Sequence, residues 1–198
     1  MKMNVFTDTQ LILMYQNHEP KAFEELLKRH KSKVFTTIYL IVKDKDTAND
    51  LTQDVFCKVV DKLKAGQYHE DGKFKHWLVR MAHNLAIDYY RKNSKKYYVR
   101  DNEDNNLFDT LMIFDRDADH DLLHTEIKNI LSEAIKHLPE EQKQVLLLRH
   151  YAEMSFKDIA SYTGVSLNTA LGRMRYALIN LRKKLTPQFA YEPNIYSP

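Results

Sequence analysis

The chain has 198 residues, of which 43% are hydrophobic and 29% charged, so it can build one domain or two small ones around a core, and its formal net charge is +3. Four glycines and five prolines supply few turn signals and favour long helices over a many-stranded sheet. The single cysteine, Cys57, excludes an internal disulfide and has no Cys or His neighbour at the spacing of a zinc site, which fits a reducing cytoplasm.

From the N-terminus, the apolar run at residues 11–14 is far shorter than a signal-peptide core or a membrane span, so a cytoplasmic protein without membrane insertion is expected. Pro20, in a first helical turn, opens a run with Phe23, Leu26, Leu27, Val34, Ile38 and Ile41 at helical spacing. Asp46 reads as the cap of a second helix with Leu51, Val55, Val59 and Leu63 on one face. Gly66 and Gly72 bracket a polar loop, AGQYHEDGK, and a third helix follows whose buried stripe is Phe74, Trp77, Leu78, Met81 and Leu85.

Residues 94–125 carry four Lys/Arg against eight Asp/Glu, whereas the segments on either side are net positive. Two basic modules around an acidic strip suggest two contacts with a polyanion and a connector that avoids it. Helical periodicity resumes with Leu122, Ile127, Ile130, Leu131, Ile135 and Leu138, and Pro139-Glu140-Glu141 marks a further helix start with acids at the positive end of its dipole. The expected fold is all-α: two small helical domains, 1–93 and 126–187, joined by an acidic flexible linker, 94–125, and followed by a flexible tail, 188–198.

The second domain contains a helix-turn-helix pattern. Ser155 and Asp158 have capping-box spacing before the apolar Phe156, Ile159 and Ala160. Gly164, in the turn Thr163-Gly164-Val165, can take the left-handed conformation that ends the first helix, and Ser166 can cap the second. Burying Leu167, Ala170, Met174, Ala177, Leu178 and Leu181 leaves Asn168, Thr169, Leu171, Gly172, Arg175 and Tyr176 outward, as in a helix that reads base edges in a major groove. Lys157, Ser166 and Arg173 complete the expected DNA-binding set, and Arg182-Lys183-Lys184 makes the helix end basic.

The two modules together resemble the sigma-70 factors of the extracytoplasmic-function type, over nearly all of residues 20–186. DLTQDVF at 50–56 looks like the family's polymerase-binding helix and FKHWLVRMAHNLAIDYYRK at 74–92 like its promoter-melting helix. The stretch from LPEEQKQVLLLRHYAEMSFKDIASYTGVSLNTALGRMRYAL is similar to the domain that binds the upstream promoter element. Three such strings in the family's order are specific where one would be weak. Asp158 stands where Glu is usual, and Leu171 and Gly172 stand where larger or polar residues are common, so base preference does not carry over from relatives.

The resemblance implies a sigma factor that binds core RNA polymerase and directs promoter-specific initiation through −10 and −35 elements, with no catalytic residue, cofactor or metal of its own. Asn49, Gln53, Phe56 and Val60 recur at i, i+4, i+7 and i+11 beside Asp50 and Asp54, a mixed apolar, amide and acidic face suited to a helical partner; the alternative for Phe56 and Val60 is packing on the Pro20 helix. By resemblance the partner is the clamp-helix coiled coil of the largest subunit, and the polymerase flap is a further contact. On the third helix Lys73, Arg80, Asn84 and Arg91 share a face, with Lys92 following, and can neutralise phosphates. The resemblance also assigns Gln67 of the polar loop, with Asn84, to a flipped base of the −10 element. The acidic linker is expected to thread the polymerase cleft, or to serve as a solvated tether. An anti-sigma factor is a further partner that the family implies.

Other chemistries fit less well. Residues 115–121 begin like a calcium loop, but His120 occupies the sixth position, where the sharp turn needs glycine, and Leu123 the ninth. No HExxH, phosphate-binding glycine loop or nucleophile motif is present, so no enzyme is expected. The remaining rival is a conventional helix-turn-helix regulator.

Overall fold

Eight α-helices and a short 3₁₀ turn carry the described residues of the computed structural model, 3–69, 71–97 and 122–189, and no strand occurs among them. The helices are α1 (Asp8–Gln16), α2 (Pro20–Val42), α3 (Lys45–Lys64), α4 (Phe74–Tyr97), α5 (Leu122–Lys136), α6 (Glu140–His150), α7 (Phe156–Thr163) and α8 (Leu167–Phe189). They pack as two sets, α1 to α4 and α5 to α8. The expected linker is helical at both ends, since α4 runs through residue 97 and α5 begins at 122; the rest of it, the calcium-like stretch and the tail beyond 189 lie outside the described residues.

In the first unit α2 is the axis, with α1, α3 and α4 packed around it. Leu26, Val34, Ile38 and Ile41 of α2 and Leu51, Val55, Val59 and Leu63 of α3 are buried in the core, as the helical spacing predicts, and Leu40 joins them, while Phe23 and Leu27 of the expected run are half-buried. Asp44, not Asp46, caps α3: Lys43 turns left-handed at φ 50°, which aims the Asp44 carboxylate at the Thr47 N–H, 2.8 Å away. The buried stripe of α4 also differs from expectation. Phe74 and Leu78 are buried, but so are Val79, Ala82, Ala86 and Ile87, while Trp77, Met81 and Leu85 are only half-buried. Alanines let two helix axes approach closely, so the contact line rotates onto Ala82 and Ala86 and away from the bulkier side chains.

Helix α1 was not expected. A capping box starts it, with the Gln10 N–H donating to Thr7 Oγ1 at 3.3 Å and Gln10 Oε1 accepting from the Thr7 N–H at 2.8 Å. Leu11 and Ile12 are fully buried and contribute about 1.5–3 kcal/mol each. A polar clasp fixes the helix to α2: Asp8 contacts His30 at 2.7 Å and Arg29 at 3.2 Å, and Arg29 also donates to the Phe6 carbonyl at 2.8 Å and to Glu25 at 2.9 Å. The hydrogen bond with His30 is the main cause holding the Asp8 carboxyl below its ordinary value of 3.8; burial opposes it, and the charges of His30 and Arg29 add to it. A carboxylate with a depressed folded pKa stabilises fully above its unfolded value and loses that contribution as pH falls through the folded one. Urea midpoints of the parent should therefore drop below pH 4 more steeply than those of Asp8→Asn, and parallel curves would show that the clasp does not contribute.

In the second unit α8 is the axis and α5, α6 and α7 pack on it. Four consecutive residues of α6, Val145 to Leu148, are all buried, so the middle turn of this helix is enclosed while its two ends stay exposed. Glu140 and Glu141 sit in its first turn, as the dipole argument predicts. Arg149 clips the following turn by donating to the Met154 carbonyl at 2.8 Å, with its guanidinium 5.2 Å from the Phe156 ring. Asn180 on α8 donates to Gln142 on α6 at 2.9 Å. Ile127 and Leu131, expected among the buried periodic residues of α5, are exposed, and Ala134, Ile135 and Leu138 carry the packing.

Candidate polymerase and nucleic-acid interfaces

The outward side of α3 consists of Asn49, Asp50, Gln53, Asp54, Cys57, Lys58 and Asp61. Phe56 does not belong to it. Its side chain is 6% exposed and meets Phe23 of α2 edge-on with ring centroids 6.4 Å apart, so the packing alternative holds for Phe56. Val60 is half-buried. The corrected surface is polar and acidic, with three carboxylates and two amides, rather than a mixture with apolar anchors. Such a face suits a basic partner, and its contribution is steering and register, sensitive to salt.

The α3–α4 connection is built by the end of α3. Gly66 takes φ 64°, its N–H donating to the Leu63 carbonyl at 3.2 Å, while the Gln67 N–H donates to the Lys62 carbonyl at 2.9 Å, a Schellman motif. The chain then turns Tyr68 inward. Its ring, 7% exposed, lies 4.6 Å from Trp77 and 5.7 Å from Phe74, and Phe74 stands edge-on to His30 at 5.5 Å. Gln67 and His69, on either side of Tyr68, are consequently exposed. Tyr68 escaped the sequence reading, although it is the one aromatic residue among the polar groups of AGQYHEDGK and so the natural anchor of that loop.

On α4, Arg80, Asn84, Arg91 and Lys92 are all exposed, as expected, and Lys73 precedes them. Two details alter the basic face. Lys73 is paired with Asp71 at 2.9 Å, a hydrogen bond that holds the Asp71 carboxyl below its ordinary range; with both groups in solvent the pair is weak, so Lys73 can exchange it for a phosphate. Asp88 is also exposed on this side, between Asn84 and Arg91. Trp77, expected in the core, is half-buried at the margin of the basic face and lies on Tyr68. Gln67 Oε1 accepts from Lys62 at 3.4 Å and Asn84 Oδ1 faces His83 Nδ1 at 3.4 Å. Through Tyr68 the loop touches α4 at Phe74 and Trp77, and the nearer of these along the helix, Trp77, is seven residues, about 10 Å of helix rise, from Asn84. The loop and Asn84 thus flank Arg80 rather than adjoin each other.

In the second unit the helix-turn-helix has the caps that the sequence implies. Ser155 Oγ accepts from the Asp158 N–H at 3.1 Å and donates to its carboxylate at 2.6 Å, and Gly164 ends α7 at φ 67°. Ser166 Oγ accepts from the Thr169 N–H at 3.1 Å and lies 2.8 Å from Thr169 Oγ1. Ser166 and Thr169 therefore form the start of α8, where N–H groups and the dipole favour a phosphate. Ala170, Ala177 and Leu181 are buried. Leu167 and Leu178, expected with them, are 47% and 51% exposed, because the alanine contact line admits only a narrow stripe. Asn168, Leu171, Arg175 and Tyr176 are exposed, Gly172 and Arg173 are half-buried, and Lys157 on α7 is exposed.

No helix among the described residues is long and apolar enough to cross a membrane, and no group of three His, Cys, Asp or Glu side chains among them could hold a metal ion.

Two family models match the chain: sigma-70 region 2 over residues 26–96 and sigma-70 region 4 over residues 128–177. The chain is similar to the RNA polymerase sigma factor YlaC of Bacillus subtilis, 26% identical over 83% of this chain and 92% of that one. It is also similar to the RNA polymerase sigma-H factor of Pseudomonas aeruginosa, 28% identical over 91% and 94%. A third relative is the ECF RNA polymerase sigma factor SigW of Bacillus subtilis, 25% identical over 83% and 89%. Among solved structures it is similar to that of CnrH in complex with the cytosolic domain of CnrY, with 20% identity, 91% and 97% coverage and a TM-score of 0.45. With region 2 on the α2-to-α4 unit and region 4 on the helix-turn-helix unit, the chain is a member of the sigma-70 family, of the extracytoplasmic-function type.

Proposed function

We propose that the protein joins core RNA polymerase through the α3 face of Asn49, Asp50, Gln53 and Asp54 and directs promoter-specific initiation. In this reading α8 reads the −35 element as duplex, and α4 with the 65–73 loop acts on the melted −10 strand. The observation that carries it is the presence on one chain of both family regions, each with an exposed polar or basic helix face left over after its core is built. The partner for α3 is the clamp helices of the largest subunit. The polymerase flap or an anti-sigma factor would cover apolar residues exposed on the second unit, among them Ile127, Leu131, Leu178 and Ile179. The protein acts in the cytoplasm and contributes no catalytic group of its own to RNA synthesis.

Run-off transcription with purified core polymerase from the same organism tests this. Parent protein added to core should give initiation from defined promoters, and failure to open any promoter would favour a conventional helix-turn-helix regulator. In the same assay Arg175→Ala should lower discrimination between matched and mismatched upstream elements by about 1–3 kcal/mol if Arg175 holds a base edge. An equal loss on every sequence would make Arg175 a phosphate contact instead.

A further inference from the structure

We propose that Gly172 is the point of closest approach between α8 and the upstream duplex, and that the missing side chain there sets both the depth of the helix in the groove and the base it accepts. This rests on the reading of α8 as the helix that binds the upstream element. Gly66, Gly72 and Gly164 have φ of 64°, 78° and 67°, a region that other residues rarely adopt, so backbone conformation accounts for each. Gly172 is different. It lies inside α8 without a left-handed φ, and a Cβ placed on it would meet nothing within 4 Å. Neither conformation nor packing within the protein calls for glycine there, and glycine weakens a helix interior relative to alanine.

Its position on the helix supplies the reason. With 3.6 residues per turn, Asn168, Gly172, Arg175 and Ile179 follow one another on the side opposite the buried Ala170, Ala177 and Leu181. A helix laid in a major groove brings the backbone of that centre line nearest to the base edges. At Gly172 the line carries a notch one side chain deep. The Asn168 amide lies one turn before it and the Arg175 guanidinium one turn after, and both can hydrogen-bond base edges. Leu171, 43% exposed beside the notch, offers the apolar surface that a thymine methyl would contact. A side chain at 172 would hold α8 away from the base pair that those groups read.

The proposal requires stability and binding to move in opposite directions. The probe is a duplex selected from a random pool by the parent holoenzyme. Gly172→Ala should raise the thermal unfolding midpoint of the protein, lower holoenzyme affinity for the selected duplex by about tenfold, and leave core-polymerase affinity unchanged. Repeating the selection with the variant should return a different base at one or two adjacent positions of the upstream element. Unchanged affinity with an unchanged selected sequence would overturn the proposal, and so would a lowered unfolding midpoint, since the chain itself would then require the glycine. If the parent selects no upstream sequence at all, the reading of α8 fails with the proposal, a result visible before any variant is made.

Discussion

Phe56→Ala is expected to lower the stability of the first unit by about 3–5 kcal/mol, the cost of emptying a buried aromatic site, and to impair polymerase binding only through that loss. Asp50→Ala combined with Gln53→Ala should do the reverse. Both residues are exposed and make none of the core contacts, so urea and thermal midpoints should stay within about 0.5 kcal/mol of the parent for each substitution. Competition for core polymerase should nevertheless weaken by about 2 kcal/mol, roughly thirtyfold, if these side chains lie at the centre of the contact. The loss should also shrink as ionic strength rises, because an acidic face contributes through screened charge. A double variant that competes as well as the parent would remove this face from the interface. Parent-like stability of Phe56→Ala would contradict the burial of its ring against Phe23.

Phe56 also illustrates where helical periodicity stops being informative. The Leu51, Val55, Val59 stripe was legible because it repeats every four residues and every member is aliphatic. Phe56 lies off that line, and its burial depends on α2 presenting Phe23 to the same side, a tertiary fact with no local signature. In α4 and α8 the same limit has a different cause. Buried alanines carry the contact in both helices, those at 82 and 86 outside the expected stripe and those at 170 and 177 within it, yet hydrophobic patterning adds Trp77, Leu167 and Leu178, large side chains that the structure leaves partly or largely exposed.

Caps and turns were more legible because their chemistry is local. Ser155, Gly164 and Ser166 occupy the positions that the short spacings require, and Pro139 with two glutamates marks the start of α6. The Thr7 to Gln10 capping box carries the same kind of local signal for α1. Among site residues, exposure of Asp50, Arg80, Asn84 and Arg175 followed from their sequence positions opposite buried residues. The anchor role of Tyr68 did not, because it depends on Trp77 and Phe74 arriving from the next helix.

Strand opening is the step that separates a sigma factor from a duplex-binding regulator, and Asn84→Ala is expected to impair it selectively. Asn84 is exposed on α4 one turn from Arg80 and seven residues before Arg91, so an amide there can hydrogen-bond an extruded base while the two guanidinium groups hold the strand's phosphates. Because Trp77 and the 65–73 loop lie about 10 Å along the helix from Asn84, a base held at Asn84 has Arg80 between it and the loop. Loss of one hydrogen-bonding side chain from such a site should cost about 1–3 kcal/mol, an effect of roughly five- to 150-fold on open-complex formation. Core-polymerase affinity and binding of upstream duplex should be unchanged, since Asn84 lies on neither α3 nor α8. A pre-melted bubble should restore only part of the loss: it supplies the energy of unpairing but not the missing contact to the base. Permanganate reactivity of unpaired thymines reads the open complex directly, and Gln67→Ala in the same assay separates a contribution of the loop from that of the helix. Parent-like melting by Asn84→Ala would take this side chain out of the site, while full rescue by the bubble would assign it to the unpairing step rather than to holding the base.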